Sequence, residues 1–262
     1  MNLDDVSLWI LSWQRWDRLE HMLASLQNAG LLDLIHRKRI FFQEINARDR
    51  EVAERFGLEV FGSPANIGIA PAWQAMLAHT PEPFTLMLEN DCPVIESPHV
   101  VHRRLQEARD WLARGELDAC QLRSIPYPGA KFNVCAKYCR YWSCPGRQTA
   151  SAWRRWLRPL KARRLLGSAP LCINNAEARH PEIDRLSADI HRVSSRYWGW
   201  SNQSVLIRTA WMRDQVLPRV FSHPSRRLVQ GAQDIERALN RRWWREQDFR
   251  IGMSQGFFTH LD

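Results

Sequence analysis

The chain has 262 residues, 45% of them hydrophobic and 25% charged, a balance expected of a soluble globular protein with a sizeable core. No apolar run approaches the roughly 20 residues of a membrane-spanning helix, and the opening MNLDDV lacks the basic and apolar regions of a secretory signal. The net charge of +9 is local: residues 119 to 176 hold eleven Lys and Arg and no Asp or Glu, which points to an anionic partner.

In chain order, VSLWILS (6–12) is an apolar run rich in strand formers. Leu19, Leu23 and Leu26 follow at helical spacing, and Gly30 stops that helix. RIFFQEI (39–45) predicts a second strand, DREVAERF (49–56) a short helix closed by Gly57, and LEVFG (58–62) a third strand. SPANIGIAPAWQAMLAH turns through Pro64 and Gly68, then enters a helix with Pro71 in its first turn. FTLML (84–88) is a fourth strand, a helix from Ser97 to Arg114 leads to Gly115, and DACQLRS (118–124) is a fifth strand.

Beyond residue 125, prolines, glycines, cysteines and tryptophans break any period as far as residue 195. SNQSVLIR (201–208) resumes as a strand, AQDIERALNRRWW (232–244) predicts a helix, and FRIGMSQGFFTHLD one or two short strands. Alternating strands and helices imply an α/β fold, a mostly parallel sheet flanked by helices. The chain reads as one domain with a regular half (1–125), a basic, Trp-rich insertion (126–195) and a C-terminal region (196–262). Six cysteines without an export signal are expected as thiols in a reducing, cytoplasmic compartment. The spacing of Cys135, Cys139 and Cys144 leaves a structural zinc open, though the duplicated pairs usual in such sites are missing.

Sheets of this kind bind ligands beyond the carboxyl ends of their strands. Ser12 to Arg15, Glu44 to Asn46, Pro64 to Gly68 and Glu89 to Asp91 all fall there. The chain has no GxGxxG and no GxxxxGK[ST], so neither a dinucleotide fingerprint nor a P-loop is present. Glu89 and Asp91 stand at i and i+2 of an extended segment and project to one side. A diphosphate meeting them requires a hard divalent cation in between, Mn²⁺ or Mg²⁺. A solvated acidic loop would have the same composition.

The succession VSLWILSWQR, QEINARD, NIGIAPAWQ and FTLMLENDCPV resembles glycosyltransferases of the GT-A fold, and is most similar to their family 2. The resemblance covers residues 6 to 95 well and 118–130 and 200–262 more thinly. It implies a metal-dependent, inverting transfer from a nucleoside diphosphate sugar to a glycan or lipid-linked hydroxyl, as in bacterial surface polysaccharide or lipopolysaccharide synthesis. The family's acidic D-x-D motif stands here as Glu89, Asn90 and Asp91, with glutamate in place of the first aspartate. By the same resemblance Ser12 and Trp13 border the nucleotide, Glu44 faces its base or ribose, and Asn66 and Gly68 shape the donor pocket. Trp13 reads equally as a core aromatic.

Asp234, in QDIE at a helix start, matches the family's catalytic aspartate, with Glu236 in reserve; a plain N-cap reads the same way. His260 matches the late histidine that related transferases add to the metal, although lone histidines are often structural. Trp198, Trp200 and Asn202 offer an acceptor-side surface for a sugar ring, or ordinary packing. Residues 147–167 interleave Trp153, Trp156, Leu157, Leu160 and Leu165 with Arg and Lys, a composition suited to an anionic membrane surface or a phosphorylated sugar. A solvated helix face remains open there. Two other classes share parts of this pattern: an inactive GT-A-like carbohydrate-binding or assembly protein, and a basic nucleic-acid-binding protein. No RRM, KH, zinc-finger or helix-turn-helix signature supports the latter, so no specific nucleic acid is expected.

Overall fold

The computed structural model describes residues 3–130, 132–144, 152–224 and 234–261. Among them nine strands form one sheet: β1 (Val6–Ser12), β2 (Arg37–Gln43), β3 (Glu59–Ser63), β4 (Phe84–Glu89), β5 (Ala119–Arg123), β6 (Ile183–Arg185), β7 (Ile190–Ser194), β8 (Val205–Arg208) and β9 (Arg250–Phe258). Their spatial order is β3-β2-β1-β4-β8-β5-β9-β7-β6. β1 pairs parallel with β2 and β4, β2 with β3, and β5 with β9. β8 is antiparallel to both β4 and β5, and β7 is antiparallel to β9 and β6. Seven strands therefore run one way and two, β7 and β8, the other. The fold is mixed α/β with a mostly parallel sheet.

The central strands β1, β4 and β8 are buried on both sides because both faces of the sheet are covered, whereas the edge strands β3 and β6 are partly exposed. In β1, Val6, Leu8 and Ile10 enter one core and Trp9 and Leu11 the other, as alternation in a strand requires. Helices Trp16–Asn28 and Pro98–Ala113 cover the first face through Leu19, Leu23, Leu26, Leu105 and Leu112. Helix Ile69–Ala78 and the helical stretch from Thr209 to Ser222 cover the second. Much of the tryptophan content serves this second core: Trp200 sits edge-on to Trp73 and Trp244, and Trp211 packs on Phe249.

Several expectations change in detail. Hairpin β6–β7 lies where no regular element was expected and extends the sheet beyond β9. Of the segment expected as one helix over 232–244, residues 232 and 233 lie outside the described residues and the rest forms two helices, Ile235–Leu239 and Arg242–Glu246, because Asn240 leaves helical geometry and brackets Trp200 with its side chain. Its Oδ1 accepts from Trp200 N and its Nδ2 donates to Trp200 O. The C-terminal run is a single strand, β9, whose register against β5 shifts between Gln121 and Arg123. Gly256 makes that irregularity possible: at φ 63° a Cβ would lie 2.1 Å from Arg123 O.

The cysteine expectation is corrected. Cys139 and Cys144 are joined by a disulfide, because the turn after helix Val134–Tyr138 brings their Cα atoms to 5.6 Å. Neither is left for a zinc ion. No described helix is long and apolar enough to cross a membrane.

Candidate active site

Because β1, β2, β4, β5 and β9 share one direction, their exits gather at one edge of the sheet. The start of the antiparallel β8 joins them there. At the β4 exit, Leu261 N donates to Asp91 O at 2.9 Å and Thr259 N to Pro93 O at 2.9 Å. These backbone bonds lay the chain after β9 against the acidic loop, and His260 Nε2 stands 3.4 Å from Asp91 Oδ1. One donor atom each from Glu89, Asp91 and His260 lie within 4.8 Å of one another. Two carboxylate oxygens and an imidazole nitrogen at this spacing fit a divalent ion such as Mn²⁺. Arg15 Nη1, 3.8 Å from Asp91 Oδ2, is the nearby cation.

Burial is the main cause that pushes the Glu89 carboxyl up to about 8, and the charges of Asp91, Glu236 and Asp234 add to it. That coupling locates the start of helix Ile235–Leu239 beside the β4 exit. Asp234 caps this helix, its Oδ1 accepting from Glu236 N at 3.0 Å and its Oδ2 from Arg237 N at 3.2 Å. Glu236 Oε1 accepts from Asn202 N at 2.9 Å. Burial raises Glu236 above the ordinary carboxylate range, against the opposing pull of that N–H.

On the other side of β4, the β1 and β2 exits are tied together. Asn90 turns away from the acids, and its Nδ2 donates to Ser12 Oγ at 3.2 Å and Gln14 O at 3.1 Å. Trp13 Nε1 and Gln14 Nε2 donate to Glu44 Oε2 at 2.9 and 3.2 Å. Gln14, Arg15 and Glu44 all hold left-handed backbone, with φ of 53°, 59° and 56°. Such strain in three non-glycine residues of adjoining strand exits is characteristic of a functional edge. At the β3 exit, Asn66 Oδ1 accepts from Gly68 N, while Gln43 holds Ile67 N and Gly68 O from β2.

Beyond β8, a cavity of about 700 Å³ opens over β5 and β9. Glu236, Trp198, Trp200 and Gln203 line its inner wall. Trp200 is buried in the aromatic core and its Nε1 donates to Asn202 Oδ1, so it offers the cavity part of its surface rather than a free ring. Arg123 stands between the two regions, braced by the carbonyls of Pro128 and Ala130 and by the Gln203 side chain.

The structure thus gathers Glu89, Asp91 and His260 with Asp234 and Glu236 nearby, and joins Ser12, Trp13, Glu44 and Asn90 through hydrogen bonds. Asn66 and Gly68 remain on the β3 side. Sequence reasoning missed Gln43 and Arg123, and placed Arg15 at a strand exit without assigning it a role. A buried glutamine inside the apolar run RIFFQEI was the available signal for the first.

A sheet of this order with an acidic fourth-strand exit defines a GT-A-like fold, and solved structures share it. S. aureus TarS matches over 100% of this chain and 37% of its own, with a TM-score of 0.53 at 12% identity. S. aureus TarS 1-349 in complex with UDP gives 0.51 at 12% identity, covering 100% of this chain and 61% of that one. The mannosyltransferase PcManGT from Pyrobaculum calidifontis, in complex with GDP-Man and Mn²⁺, gives 0.51 at 10% identity, covering 98% and 56%. The chain spans less than two thirds of the length of each, and at these identities the likeness is one of fold. The sequence matches no family model and no curated protein.

Proposed function

We propose that the protein is a metal-dependent, inverting glycosyltransferase that moves a sugar from a nucleoside diphosphate sugar to a hydroxyl of a glycan or lipid-linked acceptor. The observation that carries this reading is the convergence of Glu89, Asp91 and His260 with Asp234 and Glu236 at one sheet edge. The UDP of TarS and the GDP-Man and Mn²⁺ of PcManGT, on the same fold, support it. A bound Mn²⁺ or Mg²⁺ would supply charge neutralisation to the donor diphosphate.

The remaining work falls to side chains. Trp13 and Glu44 border the base and ribose, Ser12 and Asn90 set the spacing of the β1 and β4 exits, and Asn66 with Gly68 shapes the sugar end. The acceptor enters from the cavity side, past Trp198 and Trp200. Its hydroxyl oxygen attacks the anomeric carbon, the bond from that carbon to the diphosphate oxygen breaks, and the hydroxyl proton passes to Asp234. Both Asp234 oxygens already accept a backbone N–H. Each oxygen retains a second lone pair for the proton, and the two bonds hold the carboxylate in orientation. Glu236, lining the cavity, holds an acceptor hydroxyl in place.

Asp234→Asn largely separates the two roles of this residue, because asparagine still caps the helix through its one carbonyl oxygen and gives up only one of the two backbone bonds. The variant loses only about 1 kcal/mol of stability and keeps its Mn²⁺-dependent donor binding, while transfer falls by about 10²- to 10⁴-fold. Glu236→Gln acts chiefly on the KM for acceptor. Transfer at the normal rate by Asp234→Asn rules out Asp234 as base, and donor binding that ignores Mn²⁺ or survives Asp91→Asn removes the metal-dependent reading altogether.

A further inference from the structure

The cavity that ends at Glu236 holds more positive charge than the transfer just described requires. Lys137, Arg140, Lys161, Arg164 and Arg245 line it, and Glu236 is the one acid among the described lining residues. Among the described residues, none of these five cations forms an ion pair with a carboxylate. A solvated basic helix would spread its charge outward from one element. Here the charges come from separate segments and converge: Lys137 on helix Val134–Tyr138, Arg140 in the turn behind it, Lys161 on helix Pro159–Arg163, Arg164 after it, and Arg245 on helix Arg242–Glu246.

Arg245 shows the cost of that convergence. Its Nη1 is held by the Arg196 carbonyl, and burial together with the charge of Arg164 pushes its guanidinium down to about 10. Two guanidiniums that repel each other against an aromatic wall are relieved by an anion between them, since charge-assisted, bidentate contacts to phosphate or carboxylate are strong. The donor diphosphate is not that anion. Its proposed place is the β1, β2 and β4 exits, whereas this cavity lies over β5 and β9, beyond β8.

We propose that the cavity recognises an anionic acceptor, a saccharide bearing a phosphate ester, with the phosphate held among these cations and a hydroxyl directed to Asp234 and Glu236. This rests on the transferase reading for the identity of the ligand as acceptor, but the anion site stands on its own residues. The phosphate has two sources, the glycan itself or the link between a glycan and a lipid. The adjoining groove shares Arg140, Tyr141 and Lys161 with the cavity and is flanked by Trp153 and Leu157, which places apolar surface next to the charge.

Titration calorimetry on the full chain tests this with hexose 6-phosphate, the neutral methyl hexoside, and a hexose linked through phosphate to a dodecyl chain, kept below its micelle concentration. Hexose 6-phosphate binds at least about tenfold more tightly than the neutral hexoside, and the advantage is lost in the variant Lys137→Gln/Arg140→Gln/Lys161→Gln. All three side chains are exposed, so the variant keeps its fold, which circular dichroism verifies. Tighter binding of the dodecyl compound supports the lipid-linked source, and equal binding supports a phosphate on the glycan. Equal affinity for the charged and neutral sugars, or unchanged phosphate binding by the variant, overturns the proposal. A donor panel with Mn²⁺, read by thermal shift, keeps the two readings apart. If no donor shifts the protein while hexose phosphate still binds through these cations, the transferase reading fails and the anion site remains.

Discussion

At neutral pH the Glu89 carboxyl, raised to about 8 by burial and by Asp91, Glu236 and Asp234, still carries its proton in the metal-free protein. Its folded pKa exceeds its unfolded one, so this group contributes stability that is fully present below pH 4.5 and is lost as pH rises through about 8. Thermal unfolding of metal-free protein across that window falls with pH, and Glu89→Gln flattens the slope. A divalent ion reverses the effect, since it replaces the proton and relieves the repulsion among the acids. Mn²⁺ affinity therefore rises toward pH 8, with a proton released on binding. A metal-free protein whose melting temperature rises steadily across the window, or a Glu89→Gln variant with the wild-type slope, would contradict this account.

The β3 exit and the helix after it show how an element is set by a few atoms. Gly68 sits at φ 84° and ψ 168°, a conformation that side chains oppose, and Gln43 grips both Ile67 N and Gly68 O. Gly68→Ala costs about 1–3 kcal/mol of stability from backbone strain. Gln43→Leu leaves the part-buried Ile67 N–H without its partner and removes one of two bonds to Gly68 O, which still accepts from Ala72 N, and costs a similar ~1–3 kcal/mol. Chemical denaturation measures both, and donor KM rises in each because the loop is displaced. A Gln43→Leu variant as stable as wild type would show that the clamp is incidental. β1, β2, β4 and β5 and the acidic β4 exit were legible in the sequence because burial writes continuous apolar runs that end abruptly in polar residues, while the partly exposed edge strand β3 was legible as LEVFG set between Gly57 and Pro64. Other elements were not legible, for local reasons. The stretch from Thr209 to Ser222 contains a π-helical turn at Met212–Val216 and Pro218, which together disrupt a 3.6-residue period. Hairpin β6–β7 is too short for alternation to register. His260 could be matched to a ligand role, but its place against Asp91 depends on pairing between β9 and β5 far away in sequence. The cationic cavity was legible only as a basic stretch, since Lys137, Arg140, Lys161 and Arg164 fall within residues 119–176 but their convergence with Arg245 depends on tertiary packing.

Across the whole molecule, charge is divided between an acidic strand edge and a basic lobe beside it. That lobe also exposes apolar surface that a freely solvated protein would be expected to bury: Trp153 is 63% exposed, Trp156 71%, Leu157 53% and Leu160 70%. The two indoles stack at 5.0 Å, and Arg158 and Lys161 lie among them in sequence, exposed as well. Indole and leucine side chains set among cations have the composition of a surface that enters the interfacial layer of an anionic membrane. Such a contact would place the neighbouring cavity mouth, which shares Arg140 and Lys161 with the groove beside Trp153, close to a lipid-linked acceptor. The full chain is therefore expected to sediment with phosphatidylglycerol vesicles and to stay in solution with phosphatidylcholine vesicles. Binding weakens as salt is raised, because part of the attraction is screened within a Debye length. Trp153→Ser/Trp156→Ser lowers vesicle affinity by at least about tenfold, the loss of two interfacial aromatics, and leaves the melting temperature unchanged because both rings are already in solvent. Arg158→Gln instead weakens binding modestly and reduces its salt dependence. Equal sedimentation with both lipids, or full binding by the double tryptophan variant, would show that the exposed indoles serve a purpose other than membrane contact.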